Sequence, residues 1–336
     1  MNNMDRRSFL WGSALAAAGV SLAGCKALSG SEGAVRRRYA LNPPTVKGYK
    51  LTFKDQVELA IKAGFDGLEP WLKDAHAAKA DGTFDEAVRM ARDANLKFVN
   101  GIAFGRWVDE DAKLRAAGLE ETKRDMALLA EMECPCIAAS MFGSQKSGSP
   151  IFRLETIAER YAAVCDLGQQ MGVRPLLEYW GHSVNLHTPE DALRVAALAD
   201  RANAGILPDV YHTYRGGGSF ATYRFFSPAT VPVLHMNDYP AKPLRDQLVD
   251  ADRIWPGDGI APWRQIFAAL DEAGTNPWLS IELFNPNYWR STPLNTMHTA
   301  LAKMKAVAFV GCRVSFVARR PAGRGVLPTQ GAGVKV

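Results

Sequence analysis

Short apolar runs alternate with longer amphipathic segments through most of this 336-residue chain. The apolar runs cover residues 65–71, 98–104, 136–142, 174–180, 205–211, 231–239 and 278–284, each about the length of a buried strand. Between them, residues 52–63, 83–95, 110–132, 154–171, 188–199, 261–273 and 293–308 repeat their apolar positions at the helical period. Several of these segments open on a cap signal: Thr52 ahead of Asp55, Thr83-Phe84-Asp85-Glu86, and Thr188-Pro189-Glu190. Gly64, Gly172 and Gly274 close three of them. An eighth strand is expected near 38–41, ahead of the first helix. Eight expected strands alternating with seven helical segments predict a parallel sheet with right-handed crossovers, hence a single (β/α)8 barrel over residues 39–310. The alternative is an open doubly wound sheet, but no glycine-rich dinucleotide turn follows the first strand.

Four of the apolar runs stop on a residue that ligates cations. Val173-Arg174-Pro175-Leu176-Leu177 leads to Glu178, Ala204-Gly205-Ile206-Leu207-Pro208 to Asp209, Val231-Pro232-Val233-Leu234 to His235, and Trp278-Leu279-Ser280-Ile281 to Glu282. Burying a carboxylate at the end of an apolar run is costly unless a cation or hydrogen bonds compensate it. In a barrel these positions are the C-terminal strand ends, where the chemistry of such folds sits. Three carboxylates and one imidazole there predict a site for one divalent metal ion, with Mn favoured and Mg, Co or Zn as alternatives. The spacing agrees: 31 residues separate Glu178 from Asp209 and 26 separate Asp209 from His235, each about one strand–helix unit. The 47 residues from His235 to Glu282 leave room for an inserted loop, 238–259, above the same face.

The ends of the chain have a different character. Asp5-Arg6-Arg7-Ser8-Phe9-Leu10 is a twin-arginine pattern, and the apolar stretch 14–23 that follows is too short to span a bilayer. Residues 1–24 therefore read as an export signal. Leu22-Ala23-Gly24-Cys25 resembles a lipobox, which would make Cys25 the lipidated first residue of a periplasmic or cell-envelope protein. The alternative is ordinary signal cleavage with Cys25 a bystander. Residues 25–38 read as a tether and 311–336 as a basic, disordered tail. The chain's net charge of +5 is carried by these ends: five charges from the tail, one from the signal and three from the tether leave residues 39–312 at −4. A body without a basic footprint argues against nucleic acid as a partner. Membrane attachment is expected only through Cys25, and nothing in the sequence sets the oligomeric state.

In order along the chain, Leu177-Glu178-Tyr179-Trp180, Pro208-Asp209-Val210-Tyr211-His212, His235-Met236-Asn237-Asp238, Arg253-Ile254-Trp255-Pro256-Gly257-Asp258-Gly259 and Ser280-Ile281-Glu282 resemble the motifs of the xylose isomerase-like TIM-barrel superfamily. The nearest branch by these motifs is the sugar phosphate isomerase/epimerase type, which includes ketose 3-epimerases. The resemblance spans about residues 39–308. It implies that Glu178, Asp209, His235 and Glu282 are the metal ligands, that His212 and Arg253 contact substrate, and that the substrate is a small carbohydrate.

Physical reasoning leads to the same chemistry. Moving a proton on a carbon beside a carbonyl creates an enediolate, whose charge a divalent cation stabilises. Glu178 and Glu282 are then the expected pair that removes and returns the proton. Glu69, closing the run Phe65-Asp66-Gly67-Leu68-Glu69, is expected at the same mouth, bound to sugar hydroxyls or paired with an arginine. Trp71 and Trp180 follow strands and are expected to pack on sugar C–H faces or to wall the pocket. Asp238 is expected to support a metal ligand or Arg253 from behind. Three functions remain open: an isomerase or epimerase of a sugar, keto-sugar or polyol; a lyase or dehydratase using the same site; and a sugar-binding lipoprotein without catalysis.

Overall fold

The structure, a computed structural model, describes residues 36–315. The expected signal, the lipidation site at Cys25 and most of the tether and tail lie outside the described residues. Eight parallel strands are present among the described residues: β1 (Arg38–Leu41), β2 (Gly67–Leu68), β3 (Lys97–Phe98), β4 (Cys136–Ser140), β5 (Arg174–Glu178), β6 (Gly205–Leu207), β7 (Val233–Met236) and β8 (Trp278–Ile281). Hydrogen bonding runs β3-β2-β1-β8-β7 in one arc and β4-β5-β6 in the other. Bridges Gly101 to Ile137 and Asp209 to His235 join the arcs, so the sheet closes on itself. The expected (β/α)8 barrel is what the chain forms.

Nine α-helices accompany the strands among the described residues: α1 (Phe53–Ala63), α2 (Leu72–Asp81), α3 (Phe84–Asp93), α4 (Ala112–Glu131), α5 (Leu154–Met171), α6 (Pro189–Leu198), α7 (Val210–Gly216), α8 (Trp263–Glu272) and α9 (Pro293–Ser315). The capping box at Thr52 forms as expected, with Thr52 Oγ1 accepting from Asp55 N–H and Asp55 accepting from Thr52 N–H. Thr188 caps α6 by accepting from Asp191 N–H. The cap expected at Thr83 does not form, because its hydroxyl donates to Asp81 at 2.6 Å instead.

Two boundaries differ from expectation. Arg37, placed in the tether, is buried and pairs with Asp271 and Asn276, and β1 already includes Arg38. The tail expected from 311 begins as helix, since α9 runs on to Ser315. No helix among the described residues is long and apolar enough to cross a membrane.

Side-chain alternation sorts the strands into two cores. Ala40, Val99, Ile102, Cys136, Ala138, Leu176, Leu207 and Val233 pack together inside the barrel, and a larger apolar layer lies between the barrel and its helices. Because strand side chains alternate with period two, the inward Leu176, Leu207 and Val233 put Glu178, Asp209 and His235 on the inward face one step higher. Thus a hydrophobic floor carries a polar upper layer.

β2 and β3 are shorter than the apolar runs that encode them. Leu68 pairs with Phe98, but Trp71 pairs with Ile102, so the third strand holds one extra residue between the two pairings. This bulge brings Asn100 over Glu69. Pro70, which has no N–H to donate, contributes only its carbonyl, accepting from Ile102 N–H at 2.8 Å.

Candidate active site

The four strand-end residues converge. His235 Nδ1 lies 3.4 Å from Glu282 Oε2, 3.5 Å from Asp209 Oδ2 and 3.9 Å from Glu178 Oε1. All four side chains are buried, and His235 Nδ1 makes no hydrogen bond. Asp209, His235 and Glu282 each offer a ligand atom within 4.8 Å of the others.

Asp209 ends β6 and starts α7. Its Oδ1 accepts from His212 N–H at 2.6 Å, which caps the helix, and its Oδ2 is left facing the centre. Asn237, one strand over, donates to Asp209 Oδ2 at 2.8 Å and accepts from Tyr211 N–H at 2.7 Å. The Asp209-to-His212 spacing is therefore that of a helix cap and the third residue of its first turn.

Glu69 does not face the mouth as expected. It is fully buried beneath the centre, where it accepts from His235 Nε2 (3.0 Å), Asn42 Nδ2 (3.0 Å), Asn100 Nδ2 (2.7 Å) and the Ser280 hydroxyl. A carboxylate with four donors has no capacity left for a sugar. Its effect is on His235: by engaging Nε2 it orients the ring so that Nδ1 faces the three carboxylates.

Arg253 lies deeper than a loop residue reaching only substrate would. Its guanidinium is buried, donates through Nη1 to Glu282 Oε2 (2.8 Å) and Asp209 Oδ2 (3.3 Å), and through Nη2 to Asp250 Oδ1 (2.8 Å). Nη2 also meets His212 Nε2 at 2.9 Å, and Gly181 N–H donates to His212 Nδ1 at 3.1 Å. The guanidinium sits over the rings of Tyr211 and Phe284.

Asp238 also departs from its expected role. It touches neither a ligand nor the Arg253 side chain. Its carboxylate accepts from Tyr239 N–H, Gly257 N–H, Ala261 N–H and Trp263 Nε1, and its backbone pairs with Ile254. It pins the loop that delivers Arg253. The glycines of that motif follow: Gly257 has φ of +89°, and a Cβ on Gly259 would stand 2.2 Å from Tyr239 O and 2.3 Å from Asp238 Oδ1. Gly259→Ala should therefore lower stability by about 1–3 kcal/mol and displace Arg253, which urea denaturation and metal-site affinity would register together.

Of the aromatic residues, Trp180 is half-buried and stacks on His182, which meets His212 edge-on. Trp71 is half-buried at the rim; its indole N–H donates to Asn42 Oδ1 at 3.1 Å, and its ring packs against Phe104 and Phe284. Asn42, Asn100, Asn237, Asp250 and Ser280 complete the network without having stood out in the sequence as site residues. The signal available was position, since Asn42, Asn100 and Asn237 each follow an apolar strand.

The electrostatics divide the residues. Burial pushes the Glu178 carboxyl up to about 8, with Glu282 and Asp209 adding to the rise and His235 opposing it. Burial also acts to raise Asp209, but Arg253, His212 and His235 overcome it and hold that carboxyl well below its usual range. His212 is pushed down to about 3 by burial and by Arg253, against the pull of Asp209, so it is neutral. Burial would lower His235, yet Glu69, Glu282 and Asp209 raise it well above the ordinary imidazole range. An unpartnered ring nitrogen inside three carboxylate oxygens thus calls for positive charge, and the donor set fits a divalent cation.

A closed parallel barrel with a carboxylate–histidine centre at its C-terminal strand ends defines the class. The family pattern described as xylose isomerase-like TIM barrel matches residues 57–307, and the chain belongs to that family. An inosose isomerase of Bacillus velezensis is 30% identical over 151 residues, 45% of this chain and 54% of that protein. A 3-dehydroshikimate dehydratase of Pseudomonas aeruginosa is 24% identical over 246 residues, 72% of this chain and 37% of that protein. The chain thus spans about half the length of the inosose isomerase it matches. Among solved structures, the IOLI protein with a bound zinc atom aligns with a TM-score of 0.73 at 22% identity, covering 81% of this chain and 98% of that one.

Proposed function

We propose that this protein is a metal-dependent isomerase or epimerase of a sugar, keto-sugar or polyol, inososes included. The observation that carries the proposal is His235 Nδ1, buried and unpartnered among Glu178, Asp209 and Glu282. These four residues would hold one divalent cation, and three carboxylates to one imidazole favour Mn. When bound, the cation supplies charge stabilisation at oxygens beside the carbon that exchanges its proton. Glu178 and Glu282 are the proton carriers, each with one oxygen near the centre and a second for substrate. His212, held neutral, and Arg253 orient the substrate's oxygens, while Trp71 and Trp180 bound the mouth. The inosose isomerase relative supports isomerisation; the dehydratase relative favours a second reading, elimination from the same carbon acid. Incubation of the metal-loaded protein with inososes and ketoses in deuterated water tests both. Deuterium uptake with otherwise conserved mass is expected; loss of water would establish the lyase, and no exchange with any compound would contradict both.

Cation binding should depend on pH with a definite sign. Glu178 and His235 both hold protons that they would normally have lost at neutral pH, and the cation must displace them. Binding should therefore release protons and tighten as pH rises toward about 8. Titration calorimetry in two buffers of different ionisation enthalpy measures the release; uptake of protons would contradict the assignment.

Export and lipidation form a separate part of the proposal, resting on Arg6, Arg7 and Cys25. Arg6→Lys with Arg7→Lys should retain the protein in the cytoplasm, and Cys25→Ala should release it from membranes in fractionated cells. Membrane attachment of the Cys25 variant would remove the anchor and leave the export signal standing.

A further inference from the structure

A cavity of about 120 Å³ is lined by the segment Pro43–Tyr49 that follows β1 and by Trp71 at the rim of the active site. Its walls are Pro43, Pro44, Val46, Leu51 and Trp71, and its polar lining is Lys47, Lys50, Lys73, Gln56 and Asp74. Apolar walls with a few convergent polar groups are the usual make-up of a small-ligand site, and this volume suits a fragment rather than a whole sugar.

The polar groups are not balanced among themselves. Lys47 and Lys50 form no ion pair among the described residues. Lys73 lies over the Trp71 ring and reaches Asp74 only at 4.0 Å. Asp74, the sole acid of the lining, already accepts from Gln56 Nε2 at 3.0 Å. Three cations against one engaged carboxylate leave the cavity net positive.

The cavity is coupled to the catalytic centre by two hydrogen bonds. Trp71, which forms one wall, donates to Asn42 Oδ1, and Asn42 Nδ2 lies 3.3 Å from Glu282 Oε1. We infer that this cavity binds an anionic group, a phosphate or carboxylate whose oxygens meet Lys47, Lys50 and Lys73. The group has two possible sources: the far end of the substrate, a case that rests on the function proposed above, or a free anion acting on the site through Trp71 and Asn42.

The test is titration calorimetry on the metal-loaded full chain. Inorganic phosphate is compared with fructose and fructose 6-phosphate, in wild type and in a Lys47→Ala, Lys50→Ala, Lys73→Ala variant. All three lysines are exposed, so the variant should fold, and its thermal denaturation checks this. The expected result is that wild type binds phosphate with a Kd of about 1 mM or tighter and that the variant loses about ten-fold or more of that affinity. A similar preference for fructose 6-phosphate over fructose, absent in the variant, assigns the anion to the substrate. Phosphate binding without that preference assigns it to a free anion. Both readouts are of binding, so a failure of the proposed reaction leaves them unaffected. Equal phosphate affinity in the variant would place phosphate at the metal centre instead and overturn the inference, as would the absence of binding by wild type to both phosphate and fructose 6-phosphate.

Discussion

Arg253→Ala should destabilise the protein by about 3–5 kcal/mol and abolish turnover. One buried guanidinium serves Asp209, Glu282 and the half-exposed Asp250 and meets His212, so its removal strands the two buried carboxylates Asp209 and Glu282. Arg253→Lys should recover only part of the loss, because a single ammonium cannot span partners held by a planar fork. Urea denaturation of both variants, with circular dichroism to confirm folding, measures the effect. Wild-type stability in Arg253→Ala would mean that the guanidinium is not the cation these carboxylates depend on.

Glu69→Gln is the second large effect, again expected at about 3–5 kcal/mol. Every contact of the Glu69 carboxylate is with a donor: His235 Nε2, the Asn42 and Asn100 amides and the Ser280 hydroxyl. A glutamine would turn an NH2 group toward one pair of them and loosen the hold on His235 Nε2. Metal affinity should fall about ten- to hundred-fold, the usual cost of losing the partner behind a histidine ligand. Stability and metal titration are both needed. Loss of stability with unchanged metal affinity would make Glu69 a packing element only.

The residues at the ends of β5 to β8 were legible because strand alternation fixes where each side chain points once the apolar run is recognised. Leu176 and Glu178, Val233 and His235, and Ser280 and Glu282 are each two residues apart on one strand face. Glu69 was misplaced for the same reason in reverse. Its strand is two residues long, and the bulge at 99–101 sets Asn100 above it, so run length gave no measure of depth. Arg253 lies on a loop, where sequence carries no burial signal. Its depth comes from Asp238, which gathers Gly257, Ala261 and Trp263 onto the end of β7.

Two helices also escaped the periodicity. α2 buries only Leu72, Ala75 and Ala78, too little apolar bulk to mark a face. α7 begins at Val210 and Tyr211, residues that favour strands, so the run 205–211 read as one strand when the chain in fact turns helical at the Asp209 cap.

The central claim is that Glu178, Asp209, His235 and Glu282 hold one divalent cation. The most direct measurement is metal content by mass spectrometry of the purified, metal-loaded protein, set beside a Glu178→Gln, Glu282→Gln double variant treated identically. The account predicts about one equivalent in wild type and close to none in the double variant, since the centre would retain only one carboxylate and one imidazole. Equal stoichiometry in the two proteins, or a wild type that retains no cation, would contradict it.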